Sequence, residues 1–245
     1  MIAAAPIVNK PEAPAASLPA VRPWRTALLT PLLVIPAVVA IAAWFDAPGL
    51  FRSAAGAVFL LMLLVCVVTD LRSRRIYNWA TYTAALWAIL LLAVAALLPA
   101  DRTIEWLGRV EPARLWIARI DSVDALFGFG VAFGIMFFLF STFGCGGGDL
   151  KLLAASGLFL GPERVLEGLI DSYIVAGVAA LCFVIWVVGP LAVFAAIVRS
   201  ATEKIGLPLL FLGPQRDLRP FLKLGMPMAP FYAIGLLTAV YFRPL

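Results

Sequence analysis

The chain contains no histidine among its 245 residues. That absence removes the Ser-His-Asp triad, Cys-His pairs, the HExxH metalloprotease helix and the Ser-His dyad of intramembrane serine proteases. For hydrolysis it leaves carboxylate, lysine or metal chemistry. Charge is scarce too: 13% of residues are charged, against roughly a quarter in soluble globular domains. Of the three cysteines, Cys66, Cys145 and Cys182, none forms a CxxC pair. Neither a disulfide framework nor a zinc knuckle is supported, and no metal site is expected.

What the chain has in abundance is apolar residues, 63% of the total. A spanning helix needs roughly 20 mostly apolar residues. The other lipid-compatible solution, a closed barrel, would show alternating segments of about ten residues, which are not evident. The fold class is therefore an all-α, polytopic transmembrane helix bundle in contact with membrane lipid. A net charge of +5 could suggest a nucleic-acid partner, but the basic residues lie between apolar spans and form no single patch. Membrane topology explains them better, and no nucleic-acid partner is expected.

Residues 1–25 are rich in Ala and Pro and read as a disordered tail. Seven apolar segments follow. The first, about Thr26 to Phe45, is an extra N-terminal helix ahead of a six-helix core spanning 54–245. The next three run about Ala54 to Thr69, Trp79 to Pro99 and Ala125 to Phe143. A short fifth, Leu150 to Leu160, is stopped by Gly161-Pro162. The sixth runs about Tyr173 to Val198, interrupted near Gly189-Pro190, and the last about Met226 to Phe242. Residues 100–124, where Trp106, Leu107, Trp116, Ile117 and Ile120 interleave with charged residues, suggest an interfacial amphipathic helix. Gly130 and Gly134 have small-xxx-small spacing, which predicts close helix contact.

Cytoplasmic loops collect Lys and Arg. With the basic tail inside, the loop of Arg72, Arg74 and Arg75 falls inside. So do Lys151 and the loop carrying Arg199, Lys204, Arg216, Arg219 and Lys223. Loops 46–53 and 161–172 fall outside. Two acids then share the cytoplasmic face: Asp70 at the end of the second segment, and Asp149 after the run Gly144-Cys145-Gly146-Gly147-Gly148. Acids at membrane depth are rare and face protein or water, so each is a functional-site candidate.

A pair of close carboxylates suits peptide hydrolysis. The two cannot both ionise, so one can take a proton from water while the other polarises the scissile carbonyl. Gly146 and Gly148 permit positive φ and close backbone approach, letting the chain turn sharply and present Asp149 at a helix start. Each acid also has a plain structural reading, Asp149 as a helix cap and Asp70 as a salt-bridged topogenic flank. Cys145 lacks a histidine partner. Ser156 and Lys151 are five residues apart and point to different helix faces.

Three stretches resemble the type IV prepilin peptidases, a family of GxGD-type membrane aspartyl proteases. Thr69-Asp70-Leu71-Arg72-Ser73-Arg74-Arg75-Ile76-Tyr77-Asn78 is similar to D-x-R-x-R-x-I-P-N. Gly146-Gly147-Gly148-Asp149-Leu150-Lys151-Leu152 is similar to G-x-G-D-[VL]-K-L, and Met226-Pro227-Met228-Ala229-Pro230-Phe231 looks like P-F-G-P-F. The resemblance implies Asp70 and Asp149 as the catalytic pair, with Gly146 and Gly148 shaping the loop. Asn78, Lys151, Pro227 and Pro230 match motif positions as substrate-contacting or structural residues.

The implied activity is removal of a short basic leader from prepilin or pseudopilin precursors at the cytoplasmic face of a bacterial inner membrane. The long CxxC-bearing insert that carries methyltransferase activity in larger members is absent. The chain thus resembles the short peptidase-only members serving Flp/Tad pili, and no zinc, S-adenosylmethionine or other cofactor is expected. Tyr77 stands where the family usually has proline, which implies a looser turn after Asp70. Three other readings compete: a GxGD protease of the signal-peptide-peptidase branch, a transporter with buried acids, and a silent pilus assembly scaffold.

Overall fold

The computed structural model describes residues 49–106, 108–144, 146–190 and 226–242, together with residues 41, 45 and 198. The tail at 1–25, most of the first segment and the basic loop after Val198 lie outside the described residues.

A 3-10 turn, Gly49–Arg52, leads into helix α1, Ala54–Ser73. Ser53 starts α1 by accepting from the Gly56 N–H at 3.0 Å and donating to the Leu50 carbonyl at 2.7 Å. It thereby satisfies one of the N–H groups that a helix start leaves open. The chain here doubles back so tightly that a Cβ on Gly56 would lie 2.0 Å from the Leu50 oxygen. Helix α2 follows as Asn78–Leu97.

The region 100–124 is not an amphipathic helix. It forms a two-stranded antiparallel hairpin, β1 (Thr103–Trp106) and β2 (Arg109–Pro112), followed by the five-residue helix α3, Ala113–Ile117. Trp106 pairs with Arg109, so only two residues make the turn, and Gly108 supplies the positive φ of 74° that such turns favour. Glu111 accepts an ion-paired hydrogen bond from Arg119 and lies 3.8 Å from Arg52. This pins the hairpin to the start of α1.

Helix α4, Ser122–Phe143, and helix α5, Gly147–Val188, form the largest packed pair. Helix α5 is broken at Gly161, whose φ of 77° and ψ of 178° no helix contains. Pro162 then opens the second arm at a position where a missing N–H costs nothing. The first arm runs against α4 with Gly157 on Gly128. The second arm returns alongside α4, because Val165 and Leu169 share a crevice with Ala132 and Met136, and the Tyr173 hydroxyl reaches the Met136 sulfur at 3.9 Å. The corner at Gly161-Pro162 is therefore a reversal, as expected for the end of the short fifth segment. Residues 162–172 are nevertheless helical and not a loop, so the sixth segment begins eleven residues early.

The expected contact at Gly130 and Gly134 is also corrected: a Cβ on either would meet nothing within 4 Å. The intimate contact is at Gly128 and Gly157, where added Cβ atoms would lie 2.3 Å from the opposing carbonyl oxygens. Gly130 and Gly134 lie on another face of α4.

Helix α6, Ala229–Tyr241, packs against the second arm of α5 through Gly168, Ser172 and Gly235, with Tyr232 edge-on to Tyr173. The described architecture is thus a helical bundle with one small hairpin. Four of its helical stretches are long and apolar enough to cross a membrane: Ala54–Ser73, Asn78–Leu97, Ala113–Phe143 and Gly147–Trp186. Counting the two arms of α5 separately and adding the short α6 gives six apolar segments. A seventh would fall on residues outside the description.

Candidate active site

Helices α1 and α6 and the start of α5 meet at one end of the bundle. Asp70 lies in the last turn of α1, 7% exposed. Its helix closes on Arg74, a non-glycine residue at φ 51°, whose N–H returns to the Asp70 carbonyl at 2.8 Å. A left-handed arginine is strained, and the turn it makes carries the chain through Ile76 and Tyr77 to α2. Tyr77 has φ −80°, within the range proline imposes, so its backbone is no looser than a proline's would be.

A carboxylate near a helix C-terminus meets the negative end of the helix dipole. Asp70 meets a compensating donor: the Ala229 N–H, at the first residue of α6, donates to its Oδ2 at 2.9 Å. Met226, Pro227 and Met228 lead into that helix start.

Asp149 occupies the first turn of α5, half-buried, with the Asp149 and Leu150 N–H groups closing on the Gly146 carbonyl at 3.1 and 3.3 Å. The glycines before it act by size and not by handedness. Gly146 has φ −64°, and the positive φ belongs to Gly144, at 68°. A Cβ on Gly146 would lie 2.9 Å from Asp149 Oδ2, and one on Gly148 would lie 3.0 Å from the Ile76 Cβ. The close approach lets the two motif stretches touch.

Asp70 and Asp149 line one open cleft of about 560 Å³ together with Arg74, Tyr77, Asn78, Gly146, Gly148 and Pro227. The two carboxylates are carried by different helices, α1 and α5, which set their separation. Lys151 and Pro230 stand outside the lining. Lys151 donates to Asn78, and Pro230 occupies the first turn of α6. Ser156 is buried and donates to the Leu152 carbonyl, while Cys145 lies outside the described residues. Among the described residues no three His, Cys, Asp or Glu side chains gather as a metal-holding group.

Sequence reasoning missed two contributors. The Ala229 N–H is a main-chain group with no signature of its own, although Pro230 marks the helix start that exposes it. Tyr82 lies one turn beyond Asn78 and beneath the Lys151 ammonium.

The fold and site define a helical membrane protein with a two-carboxylate cleft at one end of its bundle. The sequence model of the Type IV leader peptidase family matches residues 57–198, and the chain belongs to that family. It is accordingly a peptidase of the prepilin leader type, with prepilin-like substrates. The match takes in Asp70, Asn78, Gly146, Gly148, Asp149 and Lys151 and ends before the Met226 segment. No curated protein and no solved structure matches the chain.

Proposed function

We propose that the chain is an aspartyl endopeptidase in which Asp70 and Asp149 together remove the short basic leader of a prepilin or pseudopilin precursor. One observation carries this reading: two acids 79 positions apart in sequence line the same cleft. One carboxylate, ionised, takes a proton from water as the water attacks the scissile carbonyl. The other, protonated, donates to the carbonyl oxygen and stabilises the tetrahedral intermediate. Collapse of that intermediate breaks the C–N bond as the leaving amine takes up a proton. The titration belongs to the pair, so acid and base roles are not divided between them. The Ala229 N–H fixes one oxygen of Asp70, which lines the cleft.

The distribution of Lys and Arg supports a cytoplasmic site in a bacterial inner membrane, with the N-terminus on the same side. The missing CxxC insert favours peptidase activity without methylation, as in the short members serving Flp/Tad pili. Co-expression with a candidate prepilin tests the reading through the mobility of the pilin product. Wild type shortens the precursor, while Asp70→Asn and Asp149→Asn each leave it full length. Processing by both variants would refute the acid pair, and labelling that placed either side chain on the periplasmic face would refute the orientation.

A further inference from the structure

Lys151 follows Asp149 by two residues but forms no ion pair with either acid among the described residues. Its Nζ donates to Asn78 Oδ1 at 2.8 Å and lies 5.3 Å from the centre of the Tyr82 ring. Asn78 and Tyr82 are four residues apart, hence on one face of α2. The ammonium is held between an amide oxygen and an aromatic face, and its bond to Asn78 is exposed.

The two ends of this link are telling. Asn78 is the first residue of α2, directly after the turn that leaves Asp70 at Arg74. Lys151 is in the opening turns of the helix that presents Asp149. The bond therefore joins the chain behind one acid to the chain behind the other, across 73 residues of sequence. The carboxylates sit on different helices, so contacts between those two stretches of chain hold their spacing. The Ile76–Gly148 approach supplies the contact, and the Lys151–Asn78 bond supplies a directional tie beside it.

We propose that Lys151, seated on Asn78 and Tyr82, is a positioning residue that sets the separation of Asp70 and Asp149. The proposal rests on the reading of those acids as the catalytic pair. It gives Lys151 a role that needs no ion pair with either acid.

The test combines kinetics with a distance that does not depend on activity. In purified enzyme, Lys151→Met and Asn78→Ala are each expected to lower kcat for leader removal by roughly ten- to hundred-fold, as a misplacement of about 1 Å can. KM should stay within about threefold, since the substrate contacts remain. The double variant should be no worse than either single one, because both remove the same tie. Lys151→Arg and Tyr82→Phe, which keep the cation and the ring, should retain most of the activity, and Tyr82→Leu should not.

Spin labels at Ser73 and Ser141, exposed positions outside the cleft, should show a broader distance distribution in Lys151→Met than in the parent, with the native cysteines replaced. Multiplying losses in the double variant, a rise in KM at unchanged kcat, or an unchanged label distance would each overturn the proposal. If Lys151→Met fails to fold, Asn78→Ala removes the same bond from its other end. Should Asp70→Asn and Asp149→Asn both remain active, the acid-pair reading falls, and the label distances still decide the tie.

Discussion

Gly157→Ala isolates a helix contact made by backbone alone. Its new Cβ would lie 2.3 Å from the Gly128 oxygen, 2.5 Å from the Gly128 carbonyl carbon and 2.7 Å from the Phe129 nitrogen. All three are backbone atoms, so no side chain can swing aside. Restoring ordinary contact requires α4 and the first arm of α5 to part by about 1 Å, which forfeits dispersion along the whole seam. Overpacking of this kind costs up to about 3 kcal/mol, and the better helix propensity of alanine returns about 1 kcal/mol. The expected net loss is about 2 kcal/mol.

Gly130→Ala, with nothing within 4 Å of the new methyl, keeps only the propensity gain and should be neutral or slightly stabilising. Unfolding by SDS titration in mixed micelles measures both. Gly128→Ala should match Gly157→Ala, and the pair together should cost less than their sum, because helices already parted admit a second methyl more cheaply. If Gly130→Ala proves as damaging as Gly157→Ala, the assignment of the contacting face is wrong.

Three further outcomes bear on the site. Gly148→Ala, whose Cβ meets Ile76 at 3.0 Å, is expected to lower leader removal several-fold, while Gly147→Ala, with only the Phe140 ring at 3.9 Å, should leave it near normal; equal effects would remove steric approach as the reason for the glycine. Tyr77→Pro suits the existing φ of −80° and should raise stability by about 0.4 to 1 kcal/mol through the unfolded chain; a loss in thermal unfolding would mean that the Tyr77 N–H or the conformation of Ile76 matters more. An acid pair sharing one proton lacks a base at low pH, when both members are protonated, and lacks an acid at high pH, when both are ionised. The profile of kcat/KM against pH should therefore be bell-shaped with two apparent constants, and a flat profile from about pH 4 to 9 would contradict the mechanism.

Much of this was legible in the sequence for identifiable physical reasons. Long apolar runs admit few solutions in lipid, so the helices α1, α2 and α4 appeared close to their true bounds. The convergence of Asp70 and Asp149 followed from charge asymmetry between loops. The failures concern phase and short-range pattern. Gly130 and Gly134 have the same four-residue spacing as Gly128 and Ala132, and spacing alone does not say which face meets a neighbour. Residues 161–172 read as a loop after Gly161-Pro162, yet the four-residue repeat of Glu163, Glu167 and Asp171 is helical and follows a proline suited to a helix start. The hairpin at 103–112 was hidden by tryptophans that suggested an interfacial helix, although Gly108 stood between two short alternating runs.

The placement of the acids at helix ends explains why so few residues were needed to find them. A carboxylate in mid-helix would face lipid or a buried partner, whereas the termini of α1, α5 and α6 leave main-chain groups open and reach the edge of the apolar layer. Asp70 sits at the unfavourable end of its own helix, and the start of α6 offsets this by aiming an N–H and a positive dipole end at it. Asp149 sits at the favourable end of its own. Two helix starts thus converge on two carboxylates, and each start is written in residues that interrupt helices, the glycines before Asp149 and the prolines around Ala229. Irregular backbone at the rim of an apolar bundle is tolerated where it lines a cavity. Glycine and proline clustered beside an acid at the end of an apolar run therefore mark where such a cavity must be.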